Sequence, residues 1–172
     1  MAKAVLISIR PEWTAKILNG KKTLELRKNR PALRTPFKCY IYCTRVQSMN
    51  LNDYVGVHSE SGGRVDEWSG KVVGEFICDE IKRISVPDNP TLNDLDMPIY
   101  ENSCLSYEQI RDYCKGQDGF FWHISNLRIN DAPKEVGYFV GIRRGKEGME
   151  LKALERAPQS WCYVLKDTGV KK

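Results

Sequence analysis

The chain alternates short apolar runs with charged connectors. Ala4 to Ile9 is almost wholly apolar and predicts a first strand. Arg10 to Leu18 predicts a short helix, with Pro11 in the first helical position and Glu12 at the positive N-terminal end. Trp13, Ile17 and Leu18 form its apolar stripe. Gly20 then suits the C′ position, where a left-handed backbone favours glycine. From Thr23 the period drops to two. Leu24 and Leu26 point toward a core, while Thr23, Glu25 and Arg27 share the opposite face. That face carries a carboxylate and a guanidinium roughly 6–7 Å apart at their Cα atoms.

The same reading gives strands over Phe37–Thr44, Gly70–Ile81, Phe120–Leu127 and Ser160–Leu165. Ser106-Tyr107-Glu108-Gln109 has the form of a capping box, and Gly116 closes the helix behind it. Ile110, Tyr113 and Cys114 form that helix's inner face. Pro87 to Pro90 predicts a turn, and Lys134 to Ile142 fits either regular structure. Residues 45–70 and 143–157 are polar or charged and are expected as loop insertions, the first a mobile flap or a disordered segment. Five or six short strands with singly inserted helices indicate an α+β fold, a small mixed β-barrel flanked by short helices. One domain is expected over residues 1–166, with a flexible tail over 167–172.

Charge changes the picture. The chain has 172 residues and a formal net charge of +5. Between Lys16 and Arg34 there are seven basic residues and one acidic, Glu25. The basic character therefore sits in one segment on a nearly neutral body, which favours an anionic partner. No apolar run approaches the ~20 residues needed to span a bilayer. The N-terminal block is too short and too weakly cationic for a signal peptide, so a cytoplasmic location and no membrane partner are expected. The six cysteines mostly sit inside apolar patterns, as reduced thiols in a core do. With only His58 and His123 as further ligands, no metal site and no cofactor is expected.

Gly20-x-Lys22-x-x-Glu25-x-Arg27 matches the G-x-K-x-x-E-x-R signature of ASCH domains, and the chain resembles that branch of the PUA-like superfamily, in its phage and bacterial form. Ser8-Ile9-Arg10-Pro11, Gly70 to Phe76, the Trp122 strand and Pro158 to Val164 agree in order, so the resemblance spans most of residues 3–166. It implies a PUA-like barrel with helices at its flanks and the signature lining a cleft. It also implies nucleic-acid binding, RNA ahead of DNA. Some small ASCH proteins are amidohydrolases of N4-acetylcytidine, using a lysine and a threonine of this stretch and a glutamate from elsewhere; a ribonuclease activity is also associated with the family. Lys22 matches the lysine, and Glu25 stands at the threonine position.

The expected site follows from both arguments. Lys22, Glu25 and Arg27 line the cleft, and Lys21, Lys28, Arg30 and Arg34 supply its rim, with Ser8 and Arg10 at the mouth of the first strand. If chemistry occurs, Lys22 and Glu25 are the catalytic candidates, with Thr23 as an alternative partner. The competing reading of Glu25 and Arg27 is a surface ion pair worth at most ~1 kcal/mol. Tyr40, Tyr42 and Trp122 are candidates for stacking on a base. A nucleic-acid-binding module is the favoured function, acting as a monomer. A hydrolase of a modified nucleoside, a ribonuclease, or a protein-interaction module using its basic face and long loops are the alternatives.

Overall fold

The computed structural model describes residues 2–45, 65–86, 97–145 and 148–166. Eight strands form one mixed sheet: β1 (Lys3–Ile9), β2 (Leu24–Arg27), β3 (Phe37–Cys43), β4 (Val72–Ile84), β5 (Gly119–Lys134), β6 (Val140–Gly145), β7 (Gly148–Ala153) and β8 (Trp161–Leu165). Among the described residues four α-helices accompany it: α1 (Pro11–Leu18), α2 (Val65–Trp68), α3 (Met97–Ser103) and α4 (Tyr107–Cys114). The strand order is β2-β5-β4-β3-β1-β8-β6-β7, and the sheet does not close on itself. The α+β fold expected from the sequence is what the chain adopts, with eight strands among the described residues instead of five or six.

β1 sits at the centre because its sequence is apolar on both faces. It runs parallel to β3 and antiparallel to β8. Val5, Ile7 and Ile9 join the main core, which holds Ile17, Phe76 and Trp122. Ala4 and Leu6 face a second cluster with Tyr40, Phe139 and Val164. A third cluster, Leu26, Ile110, Cys114 and Phe121, lies under α4 and is where the β2 leucine side is buried.

Three differences from the sequence reading have local causes. The charged segment expected as a loop over 143–157 is largely the β6–β7 hairpin, registered from Val140↔Ala153 to Gly145↔Gly148. Its side chains remain exposed on β7, so no alternation of buried and exposed positions marked it as a strand. Within the stretch expected as a loop over 45–70, Trp68 of α2 is buried in the main core; the flap expected over residues 46–64 lies outside the described residues, as does the turn at Pro87. Tyr113 is 38% exposed instead of facing inward. The capping box forms as read, with Ser106 Oγ accepting from Gln109 N and Gln109 Oε1 accepting from Ser106 N. All six cysteines are free thiols.

The α1–β2 turn places the signature. Gly20 has φ +70°, and its N–H donates to Ile17 O at 2.9 Å while Lys21 N–H donates to Lys16 O at 2.9 Å. These two bonds make a Schellman motif with Gly20 at C′. The chain then pairs away from the helix, with Thr23 N–H on Asn102 O and Ile124 N–H on Thr23 O, both 2.8 Å. A Cβ at Gly20 would meet nothing within 4 Å, so Gly20→Ala isolates the backbone strain alone. It is expected to cost about 1–2 kcal/mol in chemical unfolding.

Candidate functional site

The polar face of β2 turns inward. Lys22 is 2% exposed, Glu25 6% and Arg27 6%, and they form one buried ion network. Glu25 Oε1 lies 2.9 Å from Arg27 Nη2, and Glu25 Oε2 lies 3.4 Å from Lys22 Nζ. The surface-pair reading of Glu25 and Arg27 is therefore overturned. Their burial follows from pairing: Glu25 stands opposite Trp122 and Arg27 opposite Phe120 in the β2–β5 ladder, and both rings pack with the main core.

Each cation is held by backbone carbonyls from distant segments. Lys22 Nζ donates to Ser103 O at 2.7 Å, at the C-terminal end of α3, where the helix dipole favours a cation. The same ammonium lies 5.3 Å from the centroid of Trp13. Arg27 Nη2 donates to Ser8 O at 2.6 Å, and Nη1 donates to Ser160 Oγ at 3.3 Å. Ser8 Oγ in turn donates to Pro158 O at 2.6 Å. Arg27 thus ties β1, β2 and the start of β8 together. Two further buried donors, Arg27 Nε and Trp122 Nε1, have no acceptor among the described residues. The cluster carries two cationic side chains to one carboxylate and is rich in donors.

Burial pushes the Lys22 ammonium below the ordinary lysine pKa, against the opposing pull of Glu25. The sign of its effect on stability is fixed by that direction. The unfolded chain binds more protons than the folded one between the two Lys22 values, so this contribution to stability is complete above the unfolded value and is lost as pH falls through the folded one. Wild type is expected to gain stability relative to Lys22→Met as pH rises from 7 toward 10.5. Denaturant unfolding of both proteins at several pH values checks it; a constant difference contradicts it.

The other expected site residues divide by exposure. Lys21, Lys28, Arg30, Arg34 and Arg10 are exposed, whereas Ser8 is buried and serves the network. Lys28 Nζ lies 5.4 Å from the ring centroid of Tyr113, and the charges of Arg27 and Glu25 both reach the Tyr113 hydroxyl, whose pKa is raised chiefly by burial. Tyr113 therefore stands between the exposed cations and the buried network. Tyr40, Tyr42 and Trp122 are core residues, 3%, 8% and 0% exposed, and do not offer a stacking face. His123 Nδ1 meets Asp79 Oδ1 at 2.6 Å away from the network, and Glu75 pairs with Lys38. Trp13, Ser103 and Ser160 complete the network without being candidates from the sequence. Two of them act through main-chain or hydroxyl acceptors that carry no sequence pattern; Ser160 alone stood inside a stretch singled out by the resemblance.

No family model matches the chain, and no curated protein matches it. Among solved structures, the ASCH protein of Zymomonas mobilis superposes with a TM-score of 0.53 at 21% identity, covering 95% of this chain and 88% of that one. The fold is that of ASCH domains. A tyrosine-to-phenylalanine variant of the Zymomonas protein gives a TM-score of 0.53 at 21% identity and 91% coverage of its chain. A serine-to-alanine variant gives 0.54 at 22% identity and 89% coverage. The ASCH likeness is one of fold, and the roles of Lys22, Glu25 and Arg27 are argued from their own geometry. No helix of the described residues is long and apolar enough to cross a membrane.

Proposed function

We propose that this chain is a nucleic-acid-binding module that takes RNA in preference to DNA. One observation carries the reading: a buried network with more cations than carboxylates is flanked by an exposed run of cations on the same segment. Lys21, Lys28, Arg30 and Arg34 meet backbone phosphates, which position a strand without reading its sequence. Tyr113, beside Lys28, supplies the exposed aromatic face on which a base stacks. The Lys22–Glu25–Arg27 network recognises one acceptor-bearing group that reaches it, with Glu25 orienting Arg27. The fold of the Zymomonas relatives and the resemblance of the signature support the same reading. Anisotropy titrations of labelled single-stranded RNA, duplex RNA and single-stranded DNA at about 50 mM salt test it. Single-stranded RNA is expected to bind most tightly; no binding by any of the three contradicts it.

The lowered Lys22 pKa favours a second reading, in which the network acts on a modified nucleoside. Lys22 then serves as base or charge stabiliser, with Glu25 or Thr23 as its partner. Incubation with N4-acetylcytidine decides it. Turnover abolished by Lys22→Ala supports the hydrolase, while no turnover, or turnover that survives the substitution, removes Lys22 from such a mechanism.

A further inference from the structure

Behind the segment that carries Ser160 lies a cleft of about 350 Å³ where β6, β8 and residues 154–159 meet. The volume lies in the range that holds small ligands. Its apolar walls are Ile142, Leu154, Ala157 and Cys162, and Arg143 and Arg156 stand beside them. Leu154 is fixed by its N–H on Phe139 O at 2.9 Å and packs over Gly141, where a Cβ would come within 2.7 Å of its Cδ2. The Cys162 thiol is pushed up to about 11 by burial, so it is a neutral part of the wall at physiological pH.

The charge around the cleft is unbalanced. Arg143, Arg144, Lys152 and Arg156 outnumber Glu150, opposite Arg143 in the hairpin, and Glu155, which is bonded to Lys152. The Glu155 charge reaches Arg143 and Arg156, yet its carboxylate is engaged elsewhere. Two guanidinium groups beside an apolar wall suit a ligand with a phosphate at one end and a flat apolar body at the other. Tyr163, also at the cleft, accepts a 2.7 Å hydrogen bond from Ala32 N, which lies in the loop between Arg30 and Arg34. The Tyr163 ring lies on the other face of β8 from Cys162, so this bond ties the basic loop to the strand behind the cleft.

We propose that this cleft binds a nucleoside monophosphate unit, its base against the half-buried Ala157 and Cys162 with Ile142 and Leu154 behind them, and its phosphate between Arg143 and Arg156. The unit is either a free nucleotide or one residue of an RNA strand; the second source rests on the function proposed above. The test uses amide chemical shifts of the ¹⁵N-labelled full chain, titrated separately with CMP, inorganic phosphate and a single-stranded oligoribonucleotide. CMP is expected to shift Gly141, Arg143, Leu154 and Cys162 saturably, with affinity falling about tenfold or more in the double variant Arg143→Ala, Arg156→Ala. No shift with CMP, or the same titration in the double variant, overturns the site. Equal shifts with phosphate alone overturn the nucleotide assignment. If CMP shifts these amides and RNA shifts only residues 21–34, the free nucleotide is the occupant. If CMP fails here while RNA shifts residues 21–34, this inference falls and the RNA reading stands. CMP binding without any RNA binding supports the cleft and overturns the RNA reading.

Discussion

Arg27→Met is expected to destabilise the protein by about 3–5 kcal/mol, because it strands a buried carboxylate whose closest cation has gone. For a chain of this size that corresponds to a thermal midpoint roughly 6–20 °C lower. Methionine fills much of the removed volume, so the loss is not a cavity effect. What disappears is the 2.9 Å pair with Glu25 and the bonds to Ser8 O and Ser160. The second substitution Glu25→Gln should recover part of this, since it neutralises the stranded charge. Thermal unfolding of the single and double variants measures both terms. A change within 1 kcal/mol for Arg27→Met would place the guanidinium outside the structural network and leave it a purely ligand-facing role.

The second large effect is on binding and leaves stability nearly untouched. Lys28, Arg30 and Arg34 are exposed, so replacing all three by alanine should change stability little. Each phosphate contact on a single strand adds about 0.7 to the slope of log affinity against log salt. Removing three contacts should make that slope shallower by about 2 and lower affinity about a hundredfold at ~0.1 M salt. Anisotropy titrations across a salt series compare the variant with wild type. An unchanged slope would show that the three cations do not touch phosphate.

These two expectations separate what the signature residues do from what their neighbours do, and the sequence hinted at only half of that division. Period-two alternation correctly put Leu24 and Leu26 on one face and Glu25 and Arg27 on the other. It gave no means of telling that the polar face also turns inward, because that depends on β5 bringing Trp122 opposite Glu25 and on residues 158–160 folding over Arg27. Gly20 was legible because a glycine after an amphipathic helix has one common use, and the Schellman bonds are that use. The Ser103 carbonyl that holds Lys22 was illegible, since every residue has a carbonyl. Likewise β7 is exposed on both faces and escaped a reading based on burial. Helical spacing alone puts Tyr113 in the core; a short helix on the edge of the third cluster buries Ile110 and Cys114 and leaves the tyrosine beside Lys28.

The proposed role of the basic segment is the neutralisation of a phosphate backbone. The most direct test is the binding of single-stranded RNA to the wild-type chain between about 50 and 300 mM monovalent salt. With Lys28, Arg30 and Arg34 all in contact with phosphate, log affinity should fall against log salt with a slope of about −2 or steeper. No binding at the lowest salt, or binding indifferent to salt, would contradict it.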